Sequence, residues 1–293
     1  MNEVQGVIPY LVSPINSNGT VNTKVLDKLC KDLIAKGVHG LTPLGSTGEF
    51  AYLSRDQKTA VVECVVKATK KKVPVIAGVA STTTDEAICQ AKEWEKLGCD
   101  GILAVLESYF PVDDEGVYSY FAAIAKAVSI PVVLYTNPNF QRTDLSIPVI
   151  KRLSAIDNIV GIKDASSNTG RLLSIMNACG DNISIYAASA HIPTCVMLVG
   201  GKGWYAGPAC VAPTASVNLY NLCKAGDWKG AMEAQRPLWA LNQAFAKYSL
   251  AACVKGGLVL QGYDVGEPLA PQKPLSEQGK IDVAAALKSI GEL

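Results

Sequence analysis

Short apolar runs alternate with segments of helical periodicity along most of this 293-residue chain, and that alternation limits the fold more than any other feature. Strand-like runs occur near residues 6–14, 40–44, 74–79, 101–106, 131–135, 159–163, 183–187 and 203–207. Between and after them, residues 22–36, 55–69, 84–97, 115–127, 147–154, 172–176 and 193–198 carry apolar side chains at helical spacing. A strand that is apolar at every position has no solvent face, so it needs cover on both sides, and parallel strands sandwiched by helices supply it. Eight such strands alternating with helical segments predict an α/β fold closed as a (β/α)8 barrel. The competing doubly wound sheet usually carries Gly-x-Gly-x-x-Gly after its first strand, and residues 6–19 have none. Strand signals stop near Pro213 and helical segments follow, so residues 1–225 read as the barrel domain and 226–293 as a C-terminal helical domain.

Composition removes several function classes. Hydrophobic residues make up 49% and charged residues 18%, which is a core-forming balance rather than a disordered one. Lys+Arg 27 against Asp+Glu 26 leaves a formal charge of +1, without the concentrated basic surface that nucleic acid requires. No apolar run approaches membrane-spanning length, and Met1 to Gly6 shows no basic segment leading into an apolar one. A cytoplasmic protein is therefore expected. The nine cysteines are scattered through apolar stretches and read as reduced core thiols. With only His39 and His191, a histidine-rich metal site is not expected.

Barrel enzymes place their chemistry at the C-terminal ends of the strands. Ser46 and Thr47 follow the second strand, Tyr109 follows the fourth, Tyr135 ends the fifth and Lys163 ends the sixth. A lysine at the mouth of a buried strand loses proton affinity when desolvated, and its free amine can then attack a carbonyl. The plainer alternative is that Lys163 and Asp164 mark where a strand reaches solvent. Gly45-Ser46-Thr47-Gly48-Glu49 is an ordinary turn or a cradle of hydroxyl and backbone N–H donors for a small carboxylate. Tyr135 packs as a ring or carries protons beside the lysine. Taken together, an amine and a proton carrier support Schiff-base chemistry on a 2-oxo acid, needing neither metal nor organic cofactor. Trp204-Tyr205 offers an aromatic wall to the pocket, or core packing.

Gly45 to Glu49, Pro74-Val75-Ile76-Ala77-Gly78, Tyr135 and Gly161-Ile162-Lys163-Asp164 occur in an order that resembles the dihydrodipicolinate synthase and N-acetylneuraminate lyase family of pyruvate-dependent enzymes. The resemblance covers essentially the whole chain. It implies a TIM barrel with a C-terminal helical domain, assembled as a homotetramer or homodimer, that makes or breaks a carbon–carbon bond between pyruvate and an aldehyde. It further implies Lys163 as the Schiff-base lysine, Tyr135 as proton donor and acceptor, Ser46 as a relay hydroxyl and Thr47, in its Gly45 to Gly48 loop, as the carboxylate site. Tyr109 resembles the relay tyrosine that reaches across the tight dimer.

Departures concern the second substrate. Synthases commonly continue Tyr-Asn-x-Pro-x-Arg-Thr, with the arginine engaging a carboxylate; here Phe140 has that spacing and Arg142 follows two residues later. A phenyl ring cannot replace a bidentate clamp, so Arg142 is the candidate. The acidic pair of the neuraminate lyases is replaced by Ala188-Ser189-Ala190-His191. A dihydrodipicolinate synthase-like reaction leads. A 2-keto-3-deoxy sugar-acid aldolase or dehydratase, a neuraminate lyase-like enzyme and a catalytically silent small-molecule-binding barrel are its rivals.

Overall fold

The computed structural model describes residues 4–138, 141–166, 168–188 and 192–293. Seven strands are formed among them: β1 (Gly6–Pro9), β2 (Ile76–Ser81), β3 (Gly101–Leu106), β4 (Val132–Thr136), β5 (Ile159–Asp164), β6 (Ser184–Ala187) and β7 (Gly203–Ala206). The chain folds as two compact units. One contains Ile76–Trp204 with the segment ending at Gln5; the other contains Gly6–Val75 and Tyr205–Leu293.

In the first unit, β2 to β6 and the start of β7 pair in sequence order, every ladder parallel. Helices Thr84–Leu97, Asp114–Ala127, Ile147–Leu153, Thr169–Cys179 and Pro193–Leu198 follow successive strands. All of β2, β3 and β4 is buried, as doubly covered strands must be. Trp94 ties its helix to the sheet: its ring is buried and its indole N–H donates to the Gly78 carbonyl at 3.1 Å. Truncating such a side chain costs about 3–5 kcal/mol. Gly161 lets the Tyr186 ring lie across β5, since a Cβ there would sit 2.5 Å from Tyr186 Cε2.

In the second unit, Tyr10 bridges Thr42 and Leu41 bridges Val75, both parallel, and the Tyr10 N–H donates to the Ala206 carbonyl at 3.1 Å. The strand expected over 40–44 is reduced to these two bridges. Pro43 has no N–H to give a ladder, and Leu44 turns left-handed with a φ of 59°. With that segment counted, eight parallel strand positions alternate with helices. Helices Pro213–Lys224, Trp228–Lys247, Leu250–Leu260 and Glu277–Ser289 complete this unit.

Among the described residues, no helix is long and apolar enough to cross a membrane, and no group of three or more His, Cys, Asp or Glu could hold a metal ion. None of the nine cysteines is in a disulfide; Cys30, Cys99, Cys179, Cys210, Cys223 and Cys253 are buried, whereas Cys89 is exposed.

Candidate active site

Lys163 occupies the penultimate position of β5, in register with Tyr135 on β4 and Tyr186 on β6. It is 3% exposed, and its Nζ stands 4.1 Å from the centre of the Tyr135 ring. Burial drives the Lys163 amine well below the ordinary lysine range. The ring face attracts an ammonium by about 0.5–2 kcal/mol, less than the several kcal/mol that removing the charge from water costs. Desolvation outweighs the ring, which favours the uncharged, nucleophilic form of the amine. Tyr135 is also buried, and its hydroxyl oxygen accepts a hydrogen bond from Asn137 Nδ2 at 3.0 Å.

Asp164 is fully buried as well, which overturns the alternative that Lys163 and Asp164 mark a strand end in solvent. Successive strand residues face opposite ways, so the carboxylate leaves Lys163 and meets Arg171 Nε at 2.6 Å and the Ser166 N–H at 2.8 Å. Arg171 lies in the first turn of helix Thr169–Cys179, capped by Asn168. Its guanidinium also pairs with Asp144 at 3.1 Å and donates to the Leu145 carbonyl at 2.5 Å.

In the other unit, Ser46–Gly48 forms one 3-10 turn, and Glu49 leaves it with a φ of 56°. Gly48 is required: a Cβ there would lie 2.9 Å from the Leu11 carbonyl oxygen. Its own carbonyl accepts from Ser13 Oγ at 2.8 Å. Gly45 sits against the Tyr10 ring, where a Cβ would approach to 2.9 Å. Thr47 is fully buried, and its Oγ1 has no hydrogen-bond partner among the described residues. A buried orphan hydroxyl is costly; a bound carboxylate would satisfy it.

The remaining candidates are more scattered. Tyr109 is 74% exposed and meets Phe110 edge-on at 4.9 Å. Arg142 is exposed too, its guanidinium 6.0 Å from the Tyr109 ring centre. Tyr205 is buried, 6.4 Å from the Tyr10 ring. Phe140 and the segment 189–191 lie outside the described residues. Sequence reasoning missed Asn137 and Gln141. Gln141 accepts from the Asn137 N–H and donates to the Leu106 carbonyl, both at 2.6 Å, and so links Asn137 to the end of β3. Neither has a periodicity that would announce it, although Asn137 stands two residues beyond a candidate tyrosine.

A buried lysine amine over a tyrosine ring, carried on parallel strands of a (β/α)8 barrel with a C-terminal helical extension, is the arrangement of a lysine Schiff-base enzyme. Residues 3–290 match the dihydrodipicolinate synthetase family. The 4-hydroxy-tetrahydrodipicolinate synthase of Acidiphilium cryptum is 35% identical over 288 residues, covering 98% of this chain and 99% of that protein. That of Phenylobacterium zucineum is 36% identical over 287 residues, covering 98% and 97%. The chloride-inhibited dihydrodipicolinate synthase from Acinetobacter baumannii, solved with pyruvate, superposes with a TM-score of 0.95 at 32% identity, covering 99% of this chain and 100% of that one. A prophage protein of the same family from E. coli K12, also with pyruvate, gives 0.92 at 27% identity, covering 99% of each chain. The chain belongs to the dihydrodipicolinate synthetase family and is a pyruvate-dependent Schiff-base lyase or synthase.

Proposed function

We propose that this enzyme joins pyruvate to an aldehyde through a covalent intermediate on Lys163, in the manner of a 4-hydroxy-tetrahydrodipicolinate synthase. The neutral Nζ attacks C2 of pyruvate, and the carbinolamine loses water as Tyr135 supplies the proton, leaving an iminium ion. Loss of a C3 proton gives the enamine, whose C3 attacks the aldehyde carbon. Protonation of the new alkoxide and attack of water on the iminium return the free amine. Asn137, donating to the phenol oxygen, orients Tyr135, and Ser46 is the next hydroxyl of the proton relay. Thr47 Oγ1 and the backbone N–H groups of the Gly45 to Gly48 turn hold the pyruvate carboxylate.

The observation that carries this reading is the buried Lys163 amine, its Nζ 4.1 Å from the centre of the Tyr135 ring. Borohydride reduction with pyruvate, followed by intact and peptide mass measurement, should attach one pyruvyl group at Lys163; folded protein without an adduct would reject it. Relatives named 4-hydroxy-tetrahydrodipicolinate synthase support aspartate semialdehyde as partner. One observation favours a 2-keto-3-deoxy sugar acid instead: Arg142 is engaged with Tyr109 at the surface. Initial rates with pyruvate plus aspartate semialdehyde, set against cleavage of sugar acids including N-acetylneuraminate, decide between them. Pyruvate adduct with no turnover on any of these would identify a silent binding barrel.

The exposed Tyr109 supports a homodimer or homotetramer in which this tyrosine serves the neighbouring copy and Arg142 steadies its ring. Tyr205 is assigned to the inner wall of the pocket. Residues 1–225 would carry the chemistry and 226–293 would form the helical domain, in a protein working in the cytoplasm.

A further inference from the structure

Glu49 ends the Ser46–Gly48 turn in a left-handed conformation that a residue with a Cβ seldom adopts. Its buried carboxylate is held from the far end of the chain. Lys255 Nζ pairs with it at 2.6 Å, the Leu269 N–H donates at 2.6 Å and Gln272 Nε2 at 2.9 Å. Lys255 is 1% exposed in helix Leu250–Leu260 and also donates to the Glu267 carbonyl at 2.8 Å. Desolvating two opposite charges is costly, so such a pair is weak as a source of stability alone. The proposed reaction uses neither charge directly. Glu49 nevertheless follows immediately on Thr47 and Gly48, so whatever fixes its carboxylate fixes the end of that turn.

We propose that Lys255 is a positioning residue: acting through Glu49, it holds the Thr47–Gly48 turn in the geometry that takes the substrate carboxylate, so the C-terminal helices set pyruvate affinity without touching pyruvate. This rests on the assignment of that turn to the pyruvate carboxylate.

Lys255→Met in the full chain, with borohydride trapping followed across pyruvate concentration, tests it. The half-saturating pyruvate concentration should rise about tenfold or more, while the adduct at saturating pyruvate still reaches the wild-type extent on Lys163. Glu49→Gln should act in the same direction, and the double variant should be no worse than the worse single one, because both break one link. A Lys255 that is merely structural would lower Tm with half-saturation unchanged, or its effect would add to that of Glu49→Gln; either result overturns the proposal. Gln272→Ala removes one donor and leaves both charges, which keeps the test open if the charge variants do not fold. It should raise half-saturation about threefold, and no change would also overturn the proposal. Wild-type protein that fails to trap pyruvate would overturn both this role and the function it rests on, whereas normal wild-type trapping with unaltered variants rejects the role of Lys255 alone.

Discussion

Asp164 follows the candidate nucleophile Lys163, and Glu49 follows the candidate carboxylate turn; both carboxylates are buried, yet they are neutralised from opposite distances along the chain. Asp164 is met by Arg171 from the next helix, and the same guanidinium gathers in Asp144 and the Leu145 carbonyl. Glu49 is met by Lys255, Leu269 and Gln272 from the C-terminal helical region. The lysine strand is thus locked by neighbours that form with it, whereas the turn depends on long-range closure and inherits any disturbance of the C-terminal helices. Damage to the first lock should act on stability and on Lys163, and damage to the second on pyruvate affinity.

The largest effect tests the lysine itself. Lys163→Met should abolish both the trapped adduct and turnover, yet make the protein more stable, because it removes a buried amine whose charged form is penalised. The sign follows from proton linkage. Between the lowered native pKa and the unfolded value of about 10.4, the unfolded chain binds more protons than the native one, so wild-type stability rises with pH across that window. The methionine variant has no such dependence. Its Tm advantage should be full below the lowered native pKa and should shrink as pH rises toward the free-lysine value. Melting curves of both proteins along that series check this, and a variant that melts below wild type at neutral pH would remove desolvation as the dominant cause.

Arg171→Met comes next. It leaves Asp164 buried without its guanidinium, a loss of about 3 kcal/mol, at the low end for a broken buried pair because Arg171 is itself 14% exposed. Urea unfolding should show that loss, and trapping should be slower at Lys163 with half-saturating pyruvate little changed. If Arg171→Met and Lys255→Met moved the same parameter, the distinction between the two locks would collapse. Asn137→Ala is smaller and belongs to the lysine side. Without the 3.0 Å donor to the Tyr135 hydroxyl, kcat should fall about tenfold with the pyruvate KM unchanged. Steady-state kinetics separates this from a shift in KM alone, which would argue against an orienting role.

The barrel was legible because its strands are apolar at nearly every position, a pattern local enough to survive without tertiary information. The segment at 40–44 obeyed that pattern only partly, since Pro43 and the left-handed Leu44 interrupt pairing where the candidate turn begins. Lys163 and Tyr135 stood out because each is a chemically active side chain ending such a run. Their supporting groups did not, for reasons that differ. Gln141 works through backbone groups of Asn137 and Leu106 and Asn137 through a side-chain bond to Tyr135, neither of which any spacing encodes. Arg171 reads as an ordinary surface residue in a first helical turn until Asp144 and Asp164 converge on it. Lys255 did leave a trace: it is the lone charge in the otherwise apolar or glycine-containing helix Leu250–Leu260, and a charge there calls for a buried partner. The partner was too distant in sequence to name.

Ser13→Ala gives the smallest and most discriminating comparison. Ser13 Oγ donates to the Gly48 carbonyl at 2.8 Å inside the second unit, so it ties the turn one residue before Glu49 without any charge. Its loss leaves a buried carbonyl short of one donor, and a neutral hydrogen bond of this kind contributes about 1 kcal/mol. If the turn is held at both ends, the half-saturating pyruvate concentration should rise only about twofold to fivefold, below the effect of Lys255→Met, because the ion pair still fixes Glu49. Isothermal or trapping titrations resolve a change of that size. An effect equal to that of Lys255→Met would mean that the local tie governs the turn, and that the C-terminal helices follow the turn rather than set it.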